Sequence, residues 1–488
     1  MTSETIAFDR HPTAVTAPPP AQVAAANPPA LSPIALATVL IGVLLPMVDF
    51  FIVNVALPTM AIDLHASTAV LELVVSGYAT AYAVLLVLGG RLGDARGRRL
   101  LFLVGIAAFT LTSLLCGLAP NAGVLIAARV VQGASAALLV PQVLSTIQAT
   151  GDQTSRARAL GWFGATGGLA AVIGQVLGGV LVAANIGGSG WRAIFLVNVP
   201  IGVVGIWFAA RHVPETRATT AARPDLHGVG LLAACLVAIL VPLTEGRALH
   251  WPLWSWLLLA SAPVWAGLFV IVERRLERLG HSPLVPPSIL EHRSMRRGLL
   301  LAGPFFAGFG TFMFVYALVV QDSLHYSALK AGLTLAPMAA AFLAASLLMP
   351  RLVVRFGRTV ITGGAAIQLV GLLALMVTLS QAWPQVSPQD LAPALAIMGF
   401  GQGLVMPPLI RVVLSEVPVS QAGAGSGVLT TTQQVALAVG VATLGTLFIS
   451  LAADDRAGAM HAALVVFGIQ ALIAVGIIVG SRGLPAGR

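Results

Sequence analysis

The chain has 488 residues, of which 57% are hydrophobic and only 9% are charged, and its formal net charge is +9. Soluble domains carry about a quarter of charged residues, so this composition excludes a soluble protein. Apolar runs of about 20 residues recur between short polar turns without the alternation of barrel strands, which predicts an all-α integral membrane protein.

About fourteen apolar runs follow one another along the chain. We predict transmembrane helices near residues 34–57, 71–90, 100–119, 122–143, 159–184, 192–210, 226–243, 253–272, 299–320, 331–350, 359–379, 391–412, 424–448 and 461–480. An even number of spans places both termini on the same side of the membrane.

Basic residues identify that side. They concentrate in alternate turns, at residues 91–99, 156–158, 211–223, 274–297 and 351–358 and at Arg411. The intervening turns hold only Arg192, Arg247, Lys330 and Arg456. Because positive residues accumulate on the inner side, we predict cytoplasmic termini and no nucleic-acid partner. The 26 arginines against one lysine are typical of a GC-rich bacterial source, so the expected location is a bacterial inner membrane.

Polar linkers suggest how the chain is divided. Residues 1–33 are rich in Ala and Pro, lack the pattern of a signal peptide, and are predicted to form a disordered cytoplasmic tail. The remainder is expected to comprise a six-helix bundle at 34–211, a linker with two inserted helices and a cytoplasmic loop at 212–298, and a second six-helix bundle at 299–481. Residues 482–488 would form a second cytoplasmic tail.

The first predicted span carries a carboxylate, Asp49, in the middle of its apolar run. An acid in the membrane is costly unless it is paired, protonated or next to water, so it indicates a functional site. The alternative is a packing acid that hydrogen-bonds a neighbouring helix.

The turn after the second span reads GRLGDARGRR at residues 90–99, and PRLVVRFGR at 350–358 repeats part of it. In the first copy Gly90 and Gly97 permit close helix approach and a tight turn, while Asp94 can cap a helix or pair with an arginine. The repetition indicates two duplicated bundles around a site at the bilayer midplane, which is the plan of many secondary transporters.

This turn resembles the signature between the second and third helices of the major facilitator superfamily, with Ala95 where that family usually has a basic residue. Four other stretches resemble its fourteen-helix drug:proton antiporter family, namely DFFIVNVALP at 49–58, RVVQG at 129–133, WRAIFLVNVPIG at 191–202 and GSGVLTTTQQ at 425–434. The resemblance covers nearly the whole chain after residue 33. It implies proton-driven multidrug efflux, hence antibiotic resistance, and a conformational role for Gly90, Asp94, Gly97 and Arg98.

Arg129 is the second charge inside a predicted span. At a rise of 1.5 Å per residue, Arg129 and Asp49 lie within roughly 5 Å of the same depth, so they can pair. Moving such a partner away could release or capture a proton, which would couple protons to substrate. A static pair, or an arginine bonded to backbone carbonyls, is the alternative. Asn54 and Gln132 lie on the same two spans and are candidates for the substrate cavity.

The fifth span carries glycines in pairs four residues apart, at Gly164 and Gly168 and at Gly174 and Gly178. This spacing allows helices to approach closely. It also resembles the antiporter motif of the same family, with Gln175 in place of the motif's proline. Tight packing alone would equally explain the glycines.

Aromatic residues of the ninth span share one helical face; they are Phe305, Phe309, Phe312 and Tyr316. Such a face suits lipophilic or cationic ligands, while a lipid-facing stripe is the alternative. The polar cluster at 430–434 in the thirteenth span is interpreted as interhelical hydrogen bonding rather than ligand contact.

Other classes of membrane protein fit less well. An ATP-driven pump needs a Gly-Lys-Ser/Thr phosphate loop, but the only lysine, Lys330, precedes Ala331. An intramembrane enzyme would need histidines or cysteine pairs in the interior of the spans, and the interiors of the predicted spans offer neither. We therefore predict a monomeric, proton-coupled exporter of lipophilic or cationic small molecules, with the proton gradient as its energy source and no cofactor. A proton-coupled importer or facilitator of a metabolite, or a non-transporting receptor, is the alternative.

Overall fold

The computed structural model describes residues 29–216, 225–246, 249, 251–281, 283–418, 421–452 and 456–484. Residues 1–28 and 485–488 of the predicted tails, together with the loop residues Arg217, Arg223 and Arg247, lie outside these ranges. Within them, thirteen helices are long and apolar enough to cross a membrane, and a shorter apolar helix covers His227–Leu243. This confirms the predicted all-helical fold with about fourteen spans.

The first part of the chain forms seven helices. These are α1 (Pro33–Asp63), α2 (Thr68–Arg96), α3 (Arg98–Gly117), α4 (Ala122–Ala149), α5 (Gln153–Ala184), α6 (Ala193–Leu196) and α7 (Asn198–His212). A single apolar span, Gly190–His212, includes both α6 and α7.

Eleven further helices follow. These are α8 (Leu226–Glu245), α9 (Leu253–Arg278), α10 (Pro287–Glu291), α11 (Arg293–Leu318), α12 (Ala328–Thr334), α13 (Ala336–Phe356), α14 (Thr359–Ala382), α15 (Pro388–Leu414), α16 (Ala422–Gly440), α17 (Thr446–Leu451) and α18 (Arg456–Ser481). One π-helical turn, Val319–Ser323, extends α11, and a second, Val441–Gly445, joins α16 to α17.

Local chemistry fixes where several helices begin and end. The Ser32 hydroxyl accepts a hydrogen bond from the Ala35 amide at 3.1 Å at the start of α1, and the Asp152 carboxylate accepts one from the Ser155 amide at 2.8 Å at the start of α5. Gly97 has a φ of 107° and separates α2 from α3. Only glycine adopts this backbone conformation without strain, so the turn is tight.

Contacts between distant helices bring the arginine-bearing turns to one end of the bundle. The Asp94 carboxylate at the end of α2 accepts a hydrogen bond from the Gly423 amide at the start of α16, at 3.0 Å. Arg358, just before α14, donates to the Leu484 carbonyl after α18 at 2.8 Å. The arginine-rich end, as we call it, comprises the described residues of the turns at 96–98, 150–153, 278–281, 283–293, 356–359 and 414–418.

The glycine pairs of α5 face two different neighbours. A Cβ at Gly174 would lie 2.9 Å from the Val48 carbonyl oxygen of α1, and one at Gly168 would lie 2.4 Å from the Phe342 ring of α13. These glycines therefore allow α5 to pack closely against α1 on one side and against α13 on the other.

The inserted helices α8 and α9 pack against each other, and α8 also packs against α2. Ser76 of α2 donates a hydrogen bond to the buried Glu245 carboxylate at the end of α8. At the other end, buried Glu273 of α9 accepts a hydrogen bond from the Val285 amide at 2.7 Å. Polar contacts thus fix the pair to its surroundings at both ends.

Candidate functional site

Asp49 and Arg129 are in direct contact and are both completely buried. Arg129 Nη1 donates to Asp49 Oδ2 and, at 2.8 Å, to the Gln132 side-chain oxygen, while its Nε donates to the Val74 carbonyl at 3.1 Å. The structure thus brings the two charges together, and it adds a backbone carbonyl as a second partner of the arginine. Pairing and hydrogen bonding offset the cost of burying both charges.

Two side-chain amides complete the environment of the carboxylate. Gln132 donates to Asp49 Oδ1 at 3.0 Å, and Asn198 at the start of α7 donates to the same oxygen at 2.9 Å. The Ser113 hydroxyl of α3 accepts from the Gln132 amide at 2.8 Å. The donors come from α4 and α7, so one carboxylate on α1 joins three helices.

Sequence reasoning did not identify Asn198 or Ser113 as site residues. Asn198 lies in the stretch WRAIFLVNVPIG. Its position as a lone amide inside an apolar span is the feature of the sequence that could have indicated a site residue. Ser113 gives no signal because serine is common in transmembrane helices and often bonds its own backbone.

Tyr78 of α2 connects this network to a cavity. The Arg129 Cζ lies 4.1 Å from the centroid of the Tyr78 ring, and the Tyr78 hydroxyl donates to the Pro46 carbonyl at 3.0 Å. Arg129 Nη2 has no hydrogen-bond partner among the described residues, and the Phe195 ring also lies near the guanidinium, with its centroid 5.7 Å from Cζ. The sequence analysis does not include Tyr78 among the candidate site residues either.

The central cavity is walled almost entirely by apolar and aromatic side chains and has a volume of about 80 Å³. Helices α1, α2, α4 and α5 supply one part of its wall, and α11, α13, α15 and α16 supply the other. Its walls include Phe50, Phe51, Tyr78, Tyr82, Phe163, Phe306, Phe309, Phe342, Met406, Thr430, Gln433, Gln434 and Leu437. Sites for drug-sized molecules measure about 300–1,000 Å³, so such a molecule fits only after helices move apart.

Of the four aromatic residues predicted to face a ligand, Phe309 alone lines this cavity. Phe305 is buried in the core, Phe312 stacks on Tyr316 and packs against Phe467 of α18, and Tyr316 donates to the Thr334 hydroxyl at 2.6 Å. Phe305, Phe312 and Tyr316 thus pack against neighbouring parts of the protein in this structure, and their role as ligand contacts stays a prediction.

The two amide candidates also lie away from the cavity wall. Gln132 is fully buried beside Asp49, and Asn54 is exposed with its amide near the Phe50 carbonyl at 3.4 Å. By contrast, Gln433 and Gln434, for which the sequence favours a role in helix packing, line the cavity together with Thr430. They are its principal polar groups.

The GRLGDARGRR turn joins α2 to α16 at the arginine-rich end. Asp94 accepts hydrogen bonds from Arg98 at 2.9 Å and from the Gly423 amide at 3.0 Å. A Cβ at Gly90 would lie 2.2 Å from the Gly423 carbonyl oxygen, so the two backbones are in contact. A negative side chain at a helix N-terminus is stabilising, and here it holds two distant segments of the chain together.

At the other end, Trp191 and Arg192 hold the last turn of α1. The Trp191 indole donates to Asp63 Oδ2 at 2.8 Å, and Arg192 donates to the same oxygen at 2.6 Å. The hydrogen bonds from Arg192 and then Trp191 lower the pKa of the exposed Asp63 carboxyl below its ordinary value of 3.8. The tryptophan is buried while the ion pair remains partly exposed.

Residues 39–441 match the sequence profile of the Major Facilitator Superfamily. The chain belongs to this superfamily. It is therefore a multi-pass membrane transporter, not an enzyme, which confirms the resemblance inferred from the motifs.

Curated relatives within the superfamily include drug and antibiotic exporters. The chain is 38% identical to the "Probable actinorhodin transporter" of Streptomyces coelicolor, over 89% of this chain and 75% of that protein. It is 35% identical to the "Puromycin resistance protein pur8" of Streptomyces alboniger, over 84% of this chain and 81% of that one. The "Methylenomycin A resistance protein" of Bacillus subtilis is 31% identical, over 89% of this chain and 91% of that protein.

Among solved structures, the human organic anion transporter MFSD10 (TETRAN) has a similar fold. The match has a TM-score of 0.62 and covers 92% of this chain and 99% of that one, at 15% sequence identity. At this identity the likeness extends to the fold alone.

Proposed function

We propose that this protein is a proton-coupled exporter of lipophilic or cationic small molecules that works by alternating access. The observation that carries the proposal is the position of the buried Asp49–Arg129 pair, separated from an aromatic cavity by the Tyr78 ring. A group that can change charge thus lies next to a cavity whose aromatic walls suit an apolar or cationic ligand once the helices have moved apart.

In the proposed mechanism, Asp49 carries the proton. While ionised, it holds Arg129 through a direct ion pair and accepts hydrogen bonds from Gln132 and Asn198. Protonation removes the charge of Asp49 and one of its acceptor sites, so Arg129 loses its counter-ion. The cation–π contact with the Tyr78 ring then contributes a larger share of the interactions that stabilise the buried arginine. Because Tyr78 also lines the cavity, this rearrangement changes the wall that a substrate meets.

We further propose that residues 34–211 and 299–481 move as two bundles, with 212–298 as the inserted pair. The contacts between α5 and α13 and between α2 and α16 would then be the surfaces that part and re-form. The arginine-rich end faces the cytoplasm in this scheme, as the distribution of arginines predicts. The link between Asp94 and Gly423 would keep the cavity closed to the cytoplasm.

The relatives support the direction of transport. Proteins named for actinorhodin transport and for resistance to puromycin and methylenomycin are similar to this chain over most of its length. Export of an apolar or cationic small molecule is the activity that agrees with both these relatives and the aromatic cavity.

Everted membrane vesicles provide the test. With an acidic interior, vesicles containing the protein should accumulate a lipophilic cationic dye, and collapse of the proton gradient with an ionophore should abolish accumulation. Dye movement that is equally fast without the gradient would identify a facilitator and refute proton coupling. Vesicles without the protein provide the baseline.

A further inference from the structure

A second cavity, of about 170 Å³, lies at the arginine-rich end, away from Asp49 and the central cavity. Gln148 of α4 and Gln153 and Arg156 of α5 form one side of it. The other side is formed by Arg358, which follows α13, by Arg411 in the last turn of α15, and by Ser415 directly after α15. This volume holds on the order of ten waters, which is ample for a phosphate-sized group.

The cavity carries three positive charges and no negative one. Arg156, Arg358 and Arg411 line it, and none of the lining side chains that the structure describes is acidic. Arg156 donates to the Gly151 carbonyl at 3.0 Å, and Arg358 donates to the Leu484 carbonyl at 2.8 Å. These neutral carbonyls satisfy hydrogen bonds without cancelling charge.

Arg411 has no partner at all among the residues that the structure describes, although it is partly buried at the end of α15. Its planar guanidinium offers five donors and remains charged. A desolvated cation without a partner is unfavourable, and a nearby anion would relieve that cost.

The acidic residues closest in sequence are engaged elsewhere. Asp152 accepts hydrogen bonds from the Ser155 amide and hydroxyl at the start of α5, at 2.8 and 2.7 Å. Glu416 accepts one from the Ser294 amide at the start of α11, at 3.1 Å. The Asp152 charge does act on Arg156, but among the described residues no carboxylate forms a direct ion pair with Arg156, Arg358 or Arg411.

We propose that this cavity is a binding site for a phosphate group, either as a free oxyanion or as the headgroup of an anionic phospholipid. Arginine pairs bind such oxyanions through two parallel charge-assisted hydrogen bonds. The Gln148, Gln153 and Ser415 side chains supply further polar groups at the edge of the same space.

The site would also regulate movement. Arg156 belongs to α5, whereas Arg358 lies between α13 and α14 and Arg411 lies in the last turn of α15. An anion held between them would connect the two parts of the molecule at the same end where Asp94 meets Gly423. Bound phosphate would therefore stabilise the arrangement in which the arginine-rich end is closed.

The first experiment measures the unfolding temperature of the purified full-length protein in a neutral detergent. Inorganic phosphate is titrated at constant ionic strength, with chloride as the replacement anion. We expect a saturable rise for the wild type, and an apparent affinity weakened roughly tenfold or more in Arg411→Gln, because hydrogen bonds to charged groups are strong. Arg351→Gln removes an exposed arginine of α13 that does not line the cavity, so it should behave as the wild type.

A second arm identifies the source of the phosphate. The same measurement is made in nanodiscs of phosphatidylcholine alone or with phosphatidylglycerol, without free phosphate. Stabilisation by phosphatidylglycerol that is lost in Arg411→Gln assigns the site to a lipid headgroup, while stabilisation by inorganic phosphate assigns it to a free oxyanion. Arg156→Gln provides a second test if Arg411→Gln does not accumulate. No stabilisation in either arm, or equal stabilisation of the wild type and the cavity variants, would overturn the proposal.

Discussion

The ring of Tyr78 lies 4.1 Å from the guanidinium carbon of Arg129, and the same side chain lines the central cavity. One aromatic residue therefore separates the buried ion pair from the space available to a ligand. If the cavity binds a ligand as proposed, movement of the pair that shifts the ring would change the cavity wall, and a ligand that displaced the ring would change the environment of the pair.

The Tyr78 ring, more than its hydroxyl, should be needed for transport. Tyr78→Phe keeps the ring over Arg129 and loses only the hydrogen bond to the Pro46 carbonyl. Because a desolvated cation–π contact contributes about 2 kcal/mol, Tyr78→Leu should lower the initial export rate roughly tenfold or more, and Tyr78→Phe by about threefold or less. Equal losses in both variants, at equal protein levels in vesicles, would contradict this role of the ring.

Replacing Asp49 should separate protein stability from coupling. Asp49→Asn should reduce proton-driven dye accumulation to the level of vesicles without the protein. It should also lower the free energy of unfolding by about 3–5 kcal/mol, since Arg129 is left buried without a counter-ion. The double variant Asp49→Asn with Arg129→Gln should recover most of that stability but no export.

The control for this experiment is Asp63→Asn, which removes an exposed carboxylate on the same helix. It should export dye as the wild type does. Undiminished, gradient-dependent export by Asp49→Asn would refute the assignment of Asp49 as the proton carrier.

The contact between α2 and α16 should be sensitive to a single methyl group. An added Cβ at Gly90 would lie 2.2 Å from the Gly423 carbonyl oxygen, so Gly90→Ala forces the two backbones apart. Overpacking of this kind costs about 1–3 kcal/mol, which should slow export by roughly tenfold at an unchanged amount of membrane protein. A Cβ added at Gly363 in α14 would have no atom within 4 Å, so the Gly363→Ala variant should export normally. A similar loss of export in both variants would exclude the helix contact as the cause.

The Asp63 contact should contribute to stability only above acidic pH. Since Arg192 and Trp191 lower the pKa of Asp63 from its ordinary value of 3.8, the contribution is complete above that value and is lost as the pH falls through the lowered one. At neutral pH, Asp63→Asn should lower the unfolding temperature by no more than about 2 °C, because the ion pair is exposed. The difference from the wild type should vanish on acidification, and a difference that persisted in strong acid would contradict the assignment.

The amino-acid sequence is sufficient to predict the spans and the pairing of Asp49 with Arg129. Helical rise converts residue count into depth, so two charges at equal depth on different spans can be matched from their residue numbers alone. Composition and the short polar turns are equally sufficient for the all-helical membrane fold.

Rotation about the helix axes cannot be predicted in the same way. Phe305, Phe312 and Tyr316 share a face with Phe309, yet they pack against other parts of the protein while Phe309 lines the cavity. Likewise, Asn198 reaches Asp49 only because α7 turns its first residue inward. Sequence spacing defines a face, but the neighbours that surround a helix determine what that face contacts.

All the groups that hold the Asp49 carboxylate lie before residue 213, on α4 and α7, whereas α11, α13, α15 and α16 supply much of the cavity wall. Under the proposed mechanism, the residues that would carry the proton and many of those that would contact a ligand therefore occupy different stretches of the chain. In that mechanism, substitutions in the later stretch would alter ligand recognition while leaving the proposed proton-carrying pair in place. Chimaeras that combine α1–α10 of this chain with α11–α18 of a relative should differ from both parents in the molecules that they transport, because both stretches line the cavity.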